Sequence, residues 1–160
     1  MALTPDGARL RFADAVVDES RARLICVMEE HSVEGAEPIN TVVAVSLHVA
    51  AQAAPTVLLS GADFYAAPRV SPDGTQIAWV QWSHPAMPWD ATCVMVAPLG
   101  DAVGVARAAA GGDGGESCGQ PRWAADGELY LVSDRSGWWN IHRDTADAPE
   151  EVGKNNLGRQ

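Results

Sequence analysis

Displaced against itself by 53 residues, the sequence repeats, and a period of that length restricts the chain to an array of small, similar supersecondary units. Pro68-Arg69-Val70-Ser71-Pro72-Asp73-Gly74 aligns with Pro121-Arg122-Trp123-Ala124-Ala125-Asp126-Gly127, sharing Pro, Arg, Asp and Gly. Apolar Ile77-Ala78-Trp79-Val80 follows the first turn as Leu129-Tyr130-Leu131-Val132 follows the second, one residue closer. A further step back sets Phe12 on Tyr65, Val17 on Val70, Leu24 on Ile77 and Val27 on Val80, with Asp18-Glu19-Ser20-Arg21 in place of an Asp-Gly turn. Three degenerate copies therefore fill the chain.

Each copy reads as short strands separated by turn chemistry. Asp73-Gly74 and Asp126-Gly127 lie between extended runs, where glycine accepts the positive φ of a tight hairpin. Thr41 to Val49 alternates, with Val43, Val45, Leu47 and Val49 on one face and Ala44, Ser46 and His48 on the other, which predicts a half-buried strand. Gln76 to Trp82, Ala91 to Ala97, Glu128 to Ser133 and Trp139 to Arg143 are further strand-length runs bounded by Gly, Pro, Asp or Ser. Val103 to Ala110 is the one segment in which a helix competes. Four strands in about 50 residues, repeated, is the pattern of a propeller blade. The expected fold class is all-β: a partial β-propeller over residues 1–152, made of about three four-stranded antiparallel blades with TolB/WD-like repeats. The blades are placed at 12–61, 64–112 and 117–152, with residues 153–160 an unassigned tail. Propellers close with about 4–8 blades, so the expectation is a fragment, or a ring completed by another chain.

Composition narrows the partners. The 160 residues suffice for one domain with an ordinary apolar fraction of 47%. A net charge of −10, with Lys154 the sole lysine, leaves no basic face for phosphate backbones or anionic lipid, so neither nucleic acid nor membrane is an expected partner. The longest uncharged stretch, Pro38 to Ala62, is interrupted by Asn40, His48, Gln52 and Pro55 and alternates, unlike a membrane span. Met1-Ala2-Leu3-Thr4-Pro5-Asp6 has neither a basic nor an apolar signal region. Cys26, Cys93 and Cys118 form no CxxC and cannot all pair, which suits a reducing, cytoplasmic compartment.

One literal catalytic string is present, Gly115-Glu116-Ser117-Cys118-Gly119, which fits G-x-S-x-G. A nucleophile elbow needs a strand before the serine and a helix after it. Here a glycine run precedes Ser117, and Gly119 and the strand pattern beyond Pro121 argue against a helix, so no catalytic residue is assigned. His31, His48, His84 and His142 are scattered without metal-ligand spacing and read as surface or loop residues; no metal or cofactor is expected. Gly111-Gly112-Asp113-Gly114-Gly115 lacks the Lys-Ser/Thr of a phosphate loop and reads as a connection between blades. In an up-and-down blade alternate connections fall on opposite faces. The Asp-Gly turns therefore mark one face, while His84 to Asp90, Ser133 to Trp138, Gly61 to Tyr65 and Gly111 to Gln120 share the other. Trp89, Trp138 and Trp139 are expected to pack between blades. Glu116 reads first as a solvated loop carboxylate, with charge pairing to a substrate amino terminus as the alternative.

Two long strings, His84-Pro85-Ala86-Met87-Pro88-Trp89-Asp90 and Ser133-Asp134-Arg135-Ser136-Gly137-Trp138-Trp139-Asn140, together with Gly61 to Gly74 and Glu116 to Trp123, resemble the propeller of the prolyl oligopeptidase family, in its acylaminoacyl-peptidase or dipeptidyl-aminopeptidase-like branch. The resemblance runs from about Leu10 to Arg143. It implies a propeller that caps a separate α/β-hydrolase domain carrying a Ser-Asp-His triad that cleaves short or acylated peptides, a domain to which nothing in this chain is similar. Glu116, His84 and Arg135 are the substrate-cavity candidates. The leading reading is a substrate-gating propeller of such a serine peptidase, inert alone, whose open blade edges favour self-association. A stand-alone protein-interaction propeller is the alternative, and a hydrolase using Ser117 is a third.

Overall fold

The computed structural model describes residues 2–5, 7, 9–48, 54–145 and 150–151. Residues 49–53, the end of the 117–152 unit at 152, and the 153–160 tail lie outside the described residues. Three antiparallel sheets follow one another, each built from sequence-adjacent strands. The first contains β1 (Leu10–Asp18), β2 (Arg23–Glu30), β3 (Ile39–Ser46) and β4 (Thr56–Leu59). The second contains β5 (Phe64–Val70), β6 (Gln76–Trp82), β7 (Cys93–Pro98) and β8 (Arg107–Gly111). The third contains β9 (Cys118–Trp123), β10 (Leu129–Ser133), β11 (Asn140–Arg143) and the two-residue β12 (Glu150–Glu151). The architecture is a partial β-propeller, and the first strands of successive sheets, β1 to β5 and β5 to β9, are neighbours.

The repeated turns close as their chemistry requires. Gly74 N–H donates to Ser71 O at 2.9 Å and Gly127 N–H to Ala124 O at 3.0 Å, with φ of +71° and +88°. In the copy without Asp-Gly, Glu19–Arg21 forms a single 3₁₀ turn, and the left-handed step falls on Ala22, φ 47° and ψ 50°.

A second repeated device was not anticipated. β1, β5 and β9 each carry a bulge, and each bulge holds a left-handed residue that is not glycine: Asp14, Ala67 and Gln120, with φ of 52°, 50° and 52°. The three lie at the repeat spacing. Pro68 and Pro121 follow the last two, which fits a bulge because proline has no N–H to give to a ladder.

Packing between sheets departs from the half-buried expectation. Ile77 and Trp79 of β6 join Ile25, Val27, Val42 and Tyr65 between the first two sheets. Ala78 and Val80 of the same strand join Val94, Val96, Leu129 and Leu131 between the second and third. Strict alternation in β6 thus serves two cores. β3 likewise buries both faces, because Val42 points into the first core and Val43 and Val45 pack with Cys26 and Met28, beside Leu3, Leu10 and Phe12. The helix alternative at 103–110 fails: Val103 bridges to Leu99 and Arg107–Gly111 is a strand paired with β7.

Candidate functional site

The loops between β2 and β3, β6 and β7, and β10 and β11 meet the connections between sheets on one face, opposite the tight turns. Their contacts are built from backbone groups and short polar side chains. Asp63 N–H donates to Ser83 Oγ at 3.2 Å, and His84 N–H to Asp63 Oδ2 at 2.9 Å. Phe64 stacks on Trp82 with ring centroids 5.2 Å apart and receives the His84 ring edge-on at 5.0 Å. His84 Nε2 lies 3.9 Å from the exposed Glu37 carboxylate. Asp63, Phe64, His84 and Glu37 border a hollow of about 280 Å³ with Pro38 and Asn40.

Glu116 sits elsewhere on the same face and is not solvated. Its side chain is 9% exposed and accepts from Arg135 Nε at 3.0 Å and Arg135 Nη2 at 2.9 Å, from Gly111 N–H at 3.1 Å, and from the Ser133 hydroxyl. Arg135 N–H in turn donates to Ser133 Oγ at 3.1 Å. The structure thus joins Glu116 and Arg135 in one charge-assisted cluster and seats His84 on Phe64 in a separate one. Of the first pair, Arg135 is the member that keeps access to solvent, its side chain 32% exposed.

Ser117 is the knot between two loops. Its hydroxyl donates to Pro88 O at 2.8 Å, its N–H to Asp134 Oδ1 at 2.8 Å, and its carbonyl accepts from Asp134 N–H at 3.1 Å. A hydroxyl committed to a carbonyl, followed by strand β9 and not a helix, is no nucleophile elbow. Beside it Cys118 N–H donates to Thr92 Oγ1 at 2.7 Å. A Cβ at Gly111 would lie 2.0 Å from Thr92 O, just before the paired strand β7, and 3.0 Å from Cys118 Sγ of the third sheet, and Gly111 holds φ +75°, so only glycine fits at this end of β8.

Three placements correct the sequence reading. Trp89, Trp138 and Trp139 do not pack between blades; they are 66%, 79% and 58% exposed, because the loops that carry them are held by Ser117 and Asp134 with the rings outward. Glu116 is buried. His142, expected at the surface, is buried in β11. What the sequence reading missed lies on the opposite face: Asp18, fully buried, accepts from Ser20 Oγ at 2.7 Å, Arg23 Nε at 2.8 Å and Arg21 Nη1 at 3.2 Å. Arg21 and Arg23 then donate to the carbonyls of Gly74, Leu99, Gly100 and Asp101 in the second sheet. The signal was the change from Asp-Gly to Asp18-Glu19-Ser20-Arg21 in the first repeat.

Burial pushes the thiols of Cys26 and Cys93 up to about 11 and that of Cys118 up to about 12, so all three remain protonated and poor nucleophiles or metal ligands at neutral pH. Among the described residues no group of three or more His, Cys, Asp or Glu side chains is placed to hold a metal ion.

No family model and no curated protein matches the chain. Solved structures do. A puromycin-hydrolyzing peptidase of Mycobacterium tuberculosis superposes with a TM-score of 0.83 and 39% identity over 94% of this chain and 25% of its own. A point mutant of puromycin hydrolase complexed with PGG gives 0.84 and 35% over 94% and 24%, and puromycin hydrolase itself 0.85 and 34% over 95% and 25%. The chain spans about a quarter of the length of these proteins.

Proposed function

Since the chain is a propeller portion of the prolyl oligopeptidase family, we propose that it is the non-catalytic, substrate-gating part of a serine peptidase, with peptides as substrates and a separate α/β-hydrolase domain as the partner that performs acyl transfer. The observation that carries this reading is the superposition of nearly the whole chain on a quarter of the chain in three structures of puromycin-hydrolyzing peptidases at 34–39% identity. In this reading the 12–61, 64–112 and 117–152 units are successive blades, and the loop face borders the cavity between domains. His84 and Arg135 present there, and Glu116 acts as a positioning residue that fixes the Arg135 guanidinium. The three free thiols accord with a cytoplasmic setting. The blade faces left uncovered would drive self-association of the isolated chain.

Two measurements test the proposal. The chain alone is expected to leave a fluorophosphonate probe unreacted; labelling at Ser117 overturns the non-catalytic assignment. In the intact peptidase that carries this segment, Arg135→Ala and His84→Ala are expected to lower kcat/KM for peptides by roughly tenfold, which is about 1.4 kcal/mol of transition-state stabilisation. Hydrolysis of a minimal aryl ester, which needs only the triad, should stay unchanged. Equal kinetics for peptide and ester in both variants would remove these residues from the cavity.

A further inference from the structure

The repeated bulge on the innermost strands makes an internal comparison possible. At the junction of the first and second sheets, Ala67 is left-handed and its N–H points out of the ladder, because the β5–β6 register passes from Ala66↔Val80 to Arg69↔Ala78 and skips residues 67 and 68. The Asp14 carboxylate of the preceding strand fills the position in front of it. One oxygen accepts from Ala67 N–H and the other from Arg69 Nη1 at 3.2 Å, while Arg69 is braced on Pro68 O at 2.7 Å.

One repeat later the receiving half is rebuilt. Gln120 takes the same left-handed conformation, the β9–β10 register passes from Gly119↔Val132 to Arg122↔Tyr130, and Arg122 Nη1 is braced on Pro121 O at 3.0 Å. Trp123 Nε1 donates to Arg69 O at 3.0 Å and draws β9 against β5 as β5 is drawn against β1. The residue of β5 that stands where Asp14 stands is Ala67, which offers a methyl group in place of the carboxylate.

We propose that the Gln120 amide and the Arg122 guanidinium, with Ala67 leaving room before them, form a receiving site for a carboxylate carried by a peptide. The donor pair repeats the one that Asp14 satisfies from within the chain one repeat earlier, an N–H and a guanidinium each reaching one carboxylate oxygen, with the guanidinium bond charge-assisted. Gln120 and Arg122 are both exposed, so the ligand can enter from solvent. The inference rests on the repeat and not on the proposed peptidase role.

The test is an NMR titration of the chain, following the Gln120 amide and the Arg122 Nε–H. Three probes are used: acetyl-diglycine with a free carboxyl group, the same peptide amidated, and an amidated acetyl-Asp-Gly peptide. At least one carboxylate-bearing probe is expected to shift both signals with a Kd of about 1–10 mM, and the amidated diglycine is expected to shift neither. A response to acetyl-diglycine identifies a terminal carboxylate as ligand, and a response to the Asp-Gly peptide a side-chain carboxylate. Ala67→Asp, which supplies the carboxylate internally, and Arg122→Gln are each expected to weaken the response by roughly tenfold or more. Arg122→Gln leaves the backbone of the bulge intact should Ala67→Asp fail to fold. Equal shifts with the amidated diglycine, wild-type titrations by the folded variants, or no shift up to about 100 mM probe would overturn the proposal.

Discussion

The two junctions between sheets are made from the same backbone and held by different sets of side chains. Between the first and second sheets the work falls on the turn face, where Arg21 and Arg23, gathered on the buried Asp18 carboxylate, donate to four carbonyls of the neighbouring sheet. Between the second and third it is shared: on the loop face Ser117 ties Pro88 to Asp134, Thr92 meets Cys118, and Glu116 gathers Gly111, Ser133 and Arg135, while on the turn side Arg107 pairs with Asp144. The difference teaches that a repeated fold fixes where neighbouring sheets touch but leaves open which side chains hold them. The lock of the first junction is charged and gathered on one fully buried carboxylate, Asp18. The second combines backbone and hydroxyl contacts with two separate ion pairs, Glu116–Arg135 and Arg107–Asp144, whose arginines both reach solvent.

Asp18→Ala should separate the two most sharply. It leaves the largely buried Arg23 without its counter-charge, and breaking a buried pair costs about 3–5 kcal/mol, read by chemical denaturation. Glu116→Ala should cost less, about 1–3 kcal/mol, because Arg135 can turn to water while the Gly111 amide and Ser133 hydroxyl lose a partner. Equal losses would mean that the junctions are not held differently. At the axis, where Asp14 and Arg69 are both partly exposed, Asp14→Ala should cost no more than about 1 kcal/mol. Trp138→Ser on the loop face should change stability by less than about 0.5 kcal/mol, and a larger loss would place that ring in a packed contact.

Acid sharpens the same contrast. Burial alone would push the Asp18 carboxyl up, but the hydrogen bonds from Ser20, Arg23 and Arg21 outweigh it and hold the pKa below the ordinary 3.8. A carboxyl depressed by folding stabilises the fold above its unfolded value, and that contribution is lost as pH falls through the lower folded value. The stability difference between wild type and Asp18→Asn is therefore expected to be constant near neutrality and to shrink below pH 3.8. A difference that grew on acidification would reverse the assignment. At the turn of the second sheet Asp73, held by the Ser71 hydroxyl and by the Thr75 amide and hydroxyl, should titrate near 2 in a carboxyl-detected NMR series.

The three-unit division, the strands and the tight turns were determined by the sequence itself, because each rests on neighbours a few residues apart. The strand-length run at 76–82, bounded by turn residues, makes a strand whatever lies beside it, and Asp126-Gly127 turns on its own glycine. The family resemblance was legible for the same reason, being carried by two contiguous strings. Only the tertiary structure decided which faces those strands bury, where the buried charges sit, and which aromatic rings remain outside. Arg21 meets Leu99 O across 78 residues and Ser117 meets Pro88 O across 29. Glu116 therefore looked like a loop carboxylate until Arg135 and Ser133 were brought to it, and Trp138 looked like packing until its loop was held the other way. The left-handed Asp14, Ala67 and Gln120 were equally hidden. Local propensity favours glycine in that conformation, and it is the bulge pressed between adjacent innermost strands that holds these three residues there.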